Sequence, residues 1–395
     1  MKLPRICIIA HNAYGALTGG AQGHIGGAER QTSLMAKWFA AAGHETSLIT
    51  WGGRELDGQR VDGVTVRTIG DADAGLPVVR FFHPRLSGLW GAMRRADADV
   101  YYHNAAEAVT GLAAEWCRRH GKKFVYSAAA ELACDIRLPL LKKTYERVLY
   151  RRGVRLAHLR IVQTRAQQEL FARGWGLDSV ILPMPCPGPE DAEFQAPAPP
   201  SPPRVVWAGR VDDNKRPGWM LDLAAKLPAV TFEIAAAANG AFAATCRELE
   251  QRAAQMPNVR WRGAVPREQM PEFYRGATAL CCTSRHEGFP NIFIEAWSHG
   301  VPVVTTFDPD STATRLGIGA QAGDVDGLAA ALAIYCSDQE QWREASRRAR
   351  EYYVVNHRVE TAMARFQTEI NRLVEADGRA DIPARSNVER QKAQA

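Results

Sequence analysis

The chain has 395 residues, of which 46% are hydrophobic and 23% charged, with a formal net charge of +6. That length asks for two domains, each large enough to bury its own core. The mild positive charge suits an anionic ligand such as a nucleotide or lipid head group and is too small to mark a nucleic-acid binder, for which no base-reading motif is present either. No apolar run approaches the roughly 18 residues a membrane span needs. Met1 to Ala10 lacks a signal peptide's long apolar core and small-residue cleavage site, so a cytoplasmic protein is expected. The eight cysteines form no C-x-x-C pair and read as reduced, buried thiols. The neighbours Cys281 and Cys282 should point to opposite faces of a strand.

In chain order, Ile6 to Ala10 predicts a strand. A glycine-rich loop follows (Gly15, Gly19, Gly20, Gly23, Gly26, Gly27), then a helix from Ala28 to Ala42 closed by Gly43, then a strand from Thr46 to Thr50. Further strands are predicted at Val64 to Ile69, Val100 to His103, Phe124 to Ser127 and Arg160 to Thr164. Helices are predicted at Ala108 to His120 and Ala166 to Arg173. Met184 to Pro203 holds eight prolines, a density that reads as a stiff linker. A second alternating pattern then begins. Its strands are Arg204 to Ala208, Phe232 to Ala237, Val259 to Arg262, Ala279 to Thr283 and Val301 to Thr305. Its helices are Trp219 to Lys226, Phe242 to Gln255, Gln269 to Gly276, Ile292 to His299 and Asp326 to Tyr335.

Strands alternating with helices mean doubly wound parallel sheets, so the expected fold is α/β with two Rossmann-like domains facing a cleft. The expected division is 1–185 for the first domain, 186–203 for the linker and 204–355 for the second domain. A charged helical stretch runs from Gln339 to Ala376. Its end, 356–376, is expected as a helix returning to the N-terminal domain, and 377–395 as a disordered tail.

The sharpest signal is the string from Arg285 through Glu287-Gly288-Phe289-Pro290-Asn291-Ile292 to Glu295-Ala296, followed by Gly300-Val301-Pro302-Val303. Pro290 fits the first turn of a helix, where its missing N–H costs nothing. The N–H groups after it favour an anion or sugar oxygens. A second signal is Gly209-Arg210 after the strand Val205 to Ala208, with Lys215 five residues on. Fixed cations in a loop at the C-terminal end of a parallel strand stabilise a diphosphate as its negative charge grows. A third is Gly26-Gly27 before a helix, where backbone and phosphate can approach closely. Singly, two carboxylates on a helix, an Arg and Lys near a turn, or two glycines in a loop are ordinary surface features.

Together these strings resemble the retaining glycosyltransferases of family 4, which have the two-domain fold called GT-B. The match is at Glu287, Gly288, Phe289, Glu295, Ala296, Gly300, Pro302 and Val303, with Gly209-Arg210, Lys215 and Gly26-Gly27 beside them. The resemblance implies a nucleoside-diphosphate sugar donor. It gives Glu287 the donor sugar's hydroxyls, Glu295 the ribose, Arg210 and Lys215 the diphosphate, and the backbone of Ala264 and Val265 the nucleotide base. It is strongest from Val205 to Val304 and weak from Trp51 to Pro183. Many relatives place a histidine or aspartate after the strand that is Phe124 to Ser127 here; this chain has Ala128-Ala129-Ala130-Glu131. His103, with Asn104, Glu131 and Asp135 behind it, is the substitute candidate.

No metal or other cofactor is expected, since Arg210 and Lys215 supply the charge a metal would. The D-x-D pairs at Asp71/Asp73, Asp97/Asp99 and Asp308/Asp310 are short enough to arise by chance. The rival readings are a sugar-nucleotide epimerase on the same fold and a non-catalytic nucleotide-sugar-binding protein. The acceptor is left open. A basic stretch from Lys142 to Arg160 fits either a solvated face or a contact with anionic lipid, as a lipid-linked acceptor would require.

Overall fold

A computed structural model describes residues 3–20, 26–75, 81–194, 201–238 and 240–380. The chain forms two compact units. One takes its described residues from Met1–Val162, Gln167–Leu182 and Met363–Ala395, the other from Gln163–Ala166 and Pro183–Ala362.

The first unit is built on strands β1 (Ile6–Ile9), β2 (Thr46–Thr50), β3 (Arg60–Val61), β4 (Val64–Thr68), β5 (Val100–His103), β6 (Lys123–Ser127), β7 (Leu159–Val162) and β8 (Val180–Ile181). Their order in the sheet is β3-β4-β2-β1-β5-β6-β7-β8, and every pair is parallel except β3–β4. The chain starts in the middle, builds one half, then crosses β1 to build the other. That reversal leaves a switch point between β1 and β5, where helices diverge and a crevice opens at the strands' C-terminal ends. β1 and β2 are buried along their whole length, as a parallel sheet covered on both faces requires.

The second unit repeats the plan with β9 (Arg204–Arg210), β10 (Thr231–Ala237), β11 (Val259–Trp261), β12 (Ala279–Cys282), β13 (Val303–Thr305) and β14 (Gly319–Gln321). Its order is β11-β10-β9-β12-β13-β14, with the switch point between β9 and β12. Val205, Trp207 and Cys281 pack into the core on one face. Val206, Ala208 and Cys282 pack into the core on the other. The two adjacent cysteines do face opposite ways, and all eight cysteines are free thiols.

Several elements differ from the sequence expectation. Arg204 to Ala208 extends by two residues: Gly209 and Arg210 pair with Ala236 and Ala237 and belong to the strand, not to the loop after it. The glycine-rich loop contains a short helix, Tyr14–Thr18, while Gly23 lies outside the described residues. The charged C-terminal stretch is two helices, Gln339–Asn356 and Val359–Ala380. No Pro or Gly marks the break. Tertiary contacts make it: the His357 carbonyl accepts the Cys186 N–H at 2.9 Å, and Arg358 pairs with Asp191. The same contacts draw the start of the proline-rich segment into the second unit, where Cys186 is 5% exposed. The final helix reaches Ala380, past the expected end at 376, and 381–395 lie outside the described residues. From Met363 on it belongs to the first unit, where Met363, Phe366 and Ile370 are buried.

Candidate active site

At the second unit's switch point, two loops meet: Asp212–Arg216 after β9 and Thr283–Pro290 after β12. They are stitched together in detail. The Asn214 amide donates to the His286 carbonyl at 3.0 Å, and its oxygen accepts the His286 N–H at 3.0 Å. The Arg285 N–H donates to the Asn214 carbonyl at 2.9 Å. The Thr283 hydroxyl donates to the Lys215 carbonyl at 2.6 Å and accepts from the Trp207 indole at 3.0 Å. The Asp212 carboxylate accepts the Lys215 N–H at 2.8 Å. Arg216 adopts a left-handed φ of 48°, donates to the Thr283 carbonyl at 2.7 Å and lies 3.8 Å over the Trp219 ring. This network fixes where Lys215 and Glu287 point, and their side chains form an ion pair. Arg210, exposed at the end of β9, makes no ion pair among the described residues.

Pro290 is the residue capping the helix Asn291–Ser298 with extended backbone, one position earlier than a first-turn proline. The Phe289 N–H donates to the Gln163 side-chain oxygen at 3.2 Å, and the Phe289 ring packs against Trp297 and His357. Gly288, Asn291 and Ile292 are half-buried beside it. Glu295 sits just over one turn into this helix and is 8% exposed. Its carboxylate accepts from Arg267 at 2.5 Å and from the Tyr274 hydroxyl at 2.9 Å. Arg267 comes from the loop after β11 that carries Ala264 and Val265, so this loop and the Glu295 helix are tied together. Burial would lower the Arg267 pKa, but the Glu295 charge outweighs it and the net shift is upward. Burial and then the same charge push the Tyr274 hydroxyl well up. Two of the four lone-pair positions of Glu295 are thus taken by protein donors, which leaves acceptor capacity for a ligand hydroxyl.

The first unit's switch point holds a different chemistry. His103 ends β5 and is 1% exposed. Its Nδ1 donates to the Ile9 carbonyl at 2.9 Å and its Nε2 lies 3.3 Å from Glu107. The same Glu107 oxygen lies 3.3 Å from Nδ1 of His11, whose ring stacks on Trp51. Burial alone would raise the Glu107 carboxyl; His11 first and His103 second outweigh it and hold it well below the usual range. These groups line a cavity of about 130 Å³ together with Asn12, Thr32 and Asn104. Gly26 caps the adjoining helix Gly27–Ala41, and its N–H is taken by the Glu29 carboxylate at 3.1 Å, so an internal anion stands at that helix start.

Of this cluster, His103 and Asn104 are singled out from the sequence, but Glu107 and His11 are not. A signal existed: Glu107 stands four residues after His103 and directly before a helical run. Arg267, Tyr274 and Asn214 were also missed, since only the fold brings them to the glutamates. Of the other candidates, Asp135 is held by Arg137 at 2.5 Å, and Glu131 is exposed in a short helix. Asp97 and Asp99 are paired with Arg5 and Lys122. Asp308 accepts the N–H groups of Ala313 and Thr314, and Asp310 those of Arg165 and Ala166.

Residues 26–187 match the family model of the glycosyl transferase 4-like domain, and residues 202–338 that of glycosyl transferases group 1. The O-antigen chain mannosyltransferase B of Escherichia coli is 34% identical over 100 residues; the match spans 25% of this chain and 26% of that relative. HepE of Anabaena, solved with UDP and glucose, superposes with a TM-score of 0.71 at 17% identity, covering 93% of this chain and 99% of HepE. Sucrose-phosphate synthase of Thermosynechococcus elongatus gives 0.73 at 16% identity, covering 94% of this chain and 100% of that one. With both of its α/β units matched to the domain types that compose such enzymes, the chain is a GT-B glycosyltransferase of the group 1 kind.

Proposed function

We propose that the protein moves a hexose from a nucleoside-diphosphate sugar to an acceptor hydroxyl, with retention at the anomeric carbon and without a divalent metal. The observation that carries this is the Lys215–Glu287 pair, locked by Asn214 and Thr283 at the β9/β12 switch point, with Glu295 on the helix that follows. A ligand diphosphate would draw Lys215 from Glu287 and free that carboxylate for sugar hydroxyls. Arg210 would add the second positive charge. As the bond from the anomeric carbon to the diphosphate breaks, the electron pair leaves with the phosphate oxygen, and both cations stabilise that gain of charge. The acceptor oxygen then bonds to the anomeric carbon on the face the phosphate leaves, and its proton passes to the departing phosphate oxygen. Retention rests on the resemblance of the Glu287–Glu295 string to family 4. HepE was solved with UDP-glucose, which makes UDP-glucose a first donor to try. The carboxylates of Asp308 and Asp310 are already engaged by backbone N–H groups, which favours the metal-free reading over a D-x-D site.

The acceptor is assigned to the first unit, whose His11–Glu107–His103 cavity offers a carboxylate and two imidazoles to a hydroxyl. A lipid-linked acceptor would fit the basic stretch Lys142 to Arg160. The test is a panel of nucleoside-diphosphate hexoses, with and without EDTA, followed by release of free nucleoside diphosphate and by the anomeric configuration of the product. One donor should be consumed in both conditions. Epimerised donor with no transfer would favour the epimerase, and donor binding with no turnover on any acceptor the binding protein. Activity lost to EDTA and restored by Mn²⁺ would overturn the metal-free assignment.

A further inference from the structure

Eight large apolar side chains stand exposed among the described residues, and five of them fall between positions 132 and 148: Leu132, Ile136, Leu140, Tyr145 and Val148. Scattered exposed apolar residues need no explanation, but a cluster does. The segment that displays them is firmly held. Cys134, Leu138 and Leu141 anchor the turn in the core, and Tyr150 and Val154 anchor the helix Thr144–Leu156. That helix crosses Ala108–Arg119 at Gly153 and Gly111, where a Cβ on either would meet backbone of the other at 2.5 Å or less. With the inward face fixed so closely, Tyr145 and Val148, three residues apart, are held outward on one face, and Val148 is 57% exposed.

The charges around this patch are mostly positive. From Glu131 to Leu156 the chain carries seven cations against three carboxylates. Arg137 is neutralised by Asp135 and Arg152 by Glu115. Arg147 and Arg151 donate to the carbonyls of Leu141 and Ile136, which keeps their charge uncompensated. Lys142, Lys143, Arg147, Arg151 and Arg155 have no carboxylate partner among the described residues. Exposed aliphatic and Tyr side chains among cations that lack a carboxylate partner, with Lys143 over the Tyr145 ring, match a surface that is anionic outside and apolar just beneath.

We infer that residues 132–155 form a docking surface for anionic lipid bilayers, with Leu140, Tyr145 and Val148 entering the head-group layer and Lys142, Lys143 and Arg155 meeting lipid phosphates. The inference does not rest on the transferase reading, because it concerns binding alone and none of these residues belongs to either switch point.

The test is co-sedimentation of the full chain with vesicles of phosphatidylcholine, with and without phosphatidylglycerol. The protein should pellet only with the anionic vesicles. Lys142→Glu with Lys143→Glu should weaken binding by at least about 25-fold, since each cation at such a surface contributes roughly a fivefold factor. Leu140→Ser with Val148→Ser should weaken it as well, with an unchanged unfolding midpoint showing that the fold survives. An environment-sensitive dye at Val148→Cys should shift to the blue on vesicles. No pelleting at low salt would overturn the inference. So would binding that ignores the serine variant while the dye stays in water, because that pattern describes a site for soluble polyanions. Self-association lost in the same variants, without vesicle binding, would reassign the face to a second copy of the chain.

Discussion

The two sheets reverse direction in the same way, and each reversal collects side chains from the loops beside it, yet the two collections differ. Between β9 and β12 stand a lysine and a glutamate in an ion pair, with the pair's backbone held by Asn214 and Thr283. Between β1 and β5 stand two imidazoles sharing one carboxylate oxygen. A strand order creates a place for a ligand and does not choose it; the residues at the strand ends do. A fixed ammonium suits a phosphate whose charge grows during reaction. Imidazoles around a carboxylate suit groups that exchange protons near neutral pH.

This contrast breaks most readily at Lys215. Lys215→Ala removes the cation and leaves Glu287 without its partner, and turnover should fall by about 10²–10³-fold, the loss usual for one electrostatic donor at a reacting centre. Steady-state rates on the working donor measure it; a change below threefold would remove Lys215 from the chemistry. Arg210→Ala, with no internal partner to disturb, should weaken nucleoside diphosphate binding by roughly 2–4 kcal/mol while leaving the unfolding midpoint unchanged. An equal affinity by calorimetry would show that the end of β9 does not touch the phosphates.

Asn214 sharpens the comparison, since it acts only by holding the two loops together. Asn214→Ala should cost about 1–2 kcal/mol of stability through its lost bonds to His286 and lower turnover in parallel. Full activity in a destabilised protein would mean that Lys215 and Glu287 are placed by something else. The smallest effect is expected in the first unit. The Glu107 pKa is depressed in the folded state, so its contribution is fully present above about pH 5 and fades as pH falls towards the folded value. Glu107 is partly exposed, which limits this to about 1 kcal/mol. Glu107→Gln should therefore flatten the acid side of the unfolding-midpoint profile, lowering the midpoint slightly near neutrality, where the contribution is present, and changing it little at low pH. An acid limb as steep as the wild type's would show that the histidines do not stabilise the carboxylate.

Much of the fold was legible because hydrophobic period and glycine placement are local properties. Val205–Ala208 and Ala279–Cys282 are continuous apolar runs of the kind a doubly covered parallel strand produces, and the change at Met184–Pro203 is compositional. The Glu287–Glu295 string was legible for the same reason, since both residues lie in one loop and one helix. Contacts over long sequence separations were not. Nothing near Glu295 in the chain announces Arg267 or Tyr274, because the loop after β11 must cross to the helix after β12 before they meet. The helix break at His357 was hidden in the same way, being made by Cys186 and Asp191 from the segment read as a linker. Glu107 was overlooked although it lies four residues from His103, because its other partner, His11, is nearly a hundred residues away.

The claim that a nucleoside diphosphate is held at the β9/β12 switch point is tested most directly by calorimetric titration of UDP, GDP and ADP into wild type, Glu287→Gln and Glu295→Gln. For the nucleotide that binds, Glu295→Gln should lose about 1.5–3 kcal/mol, because the ribose loses a charged acceptor. Glu287→Gln should bind as tightly as wild type or more tightly, because Lys215 no longer has to leave an ion pair and free nucleotide carries no sugar. Equal weakening by both substitutions, or by neither, would contradict the assignment of the two glutamates and with it the reading of this site.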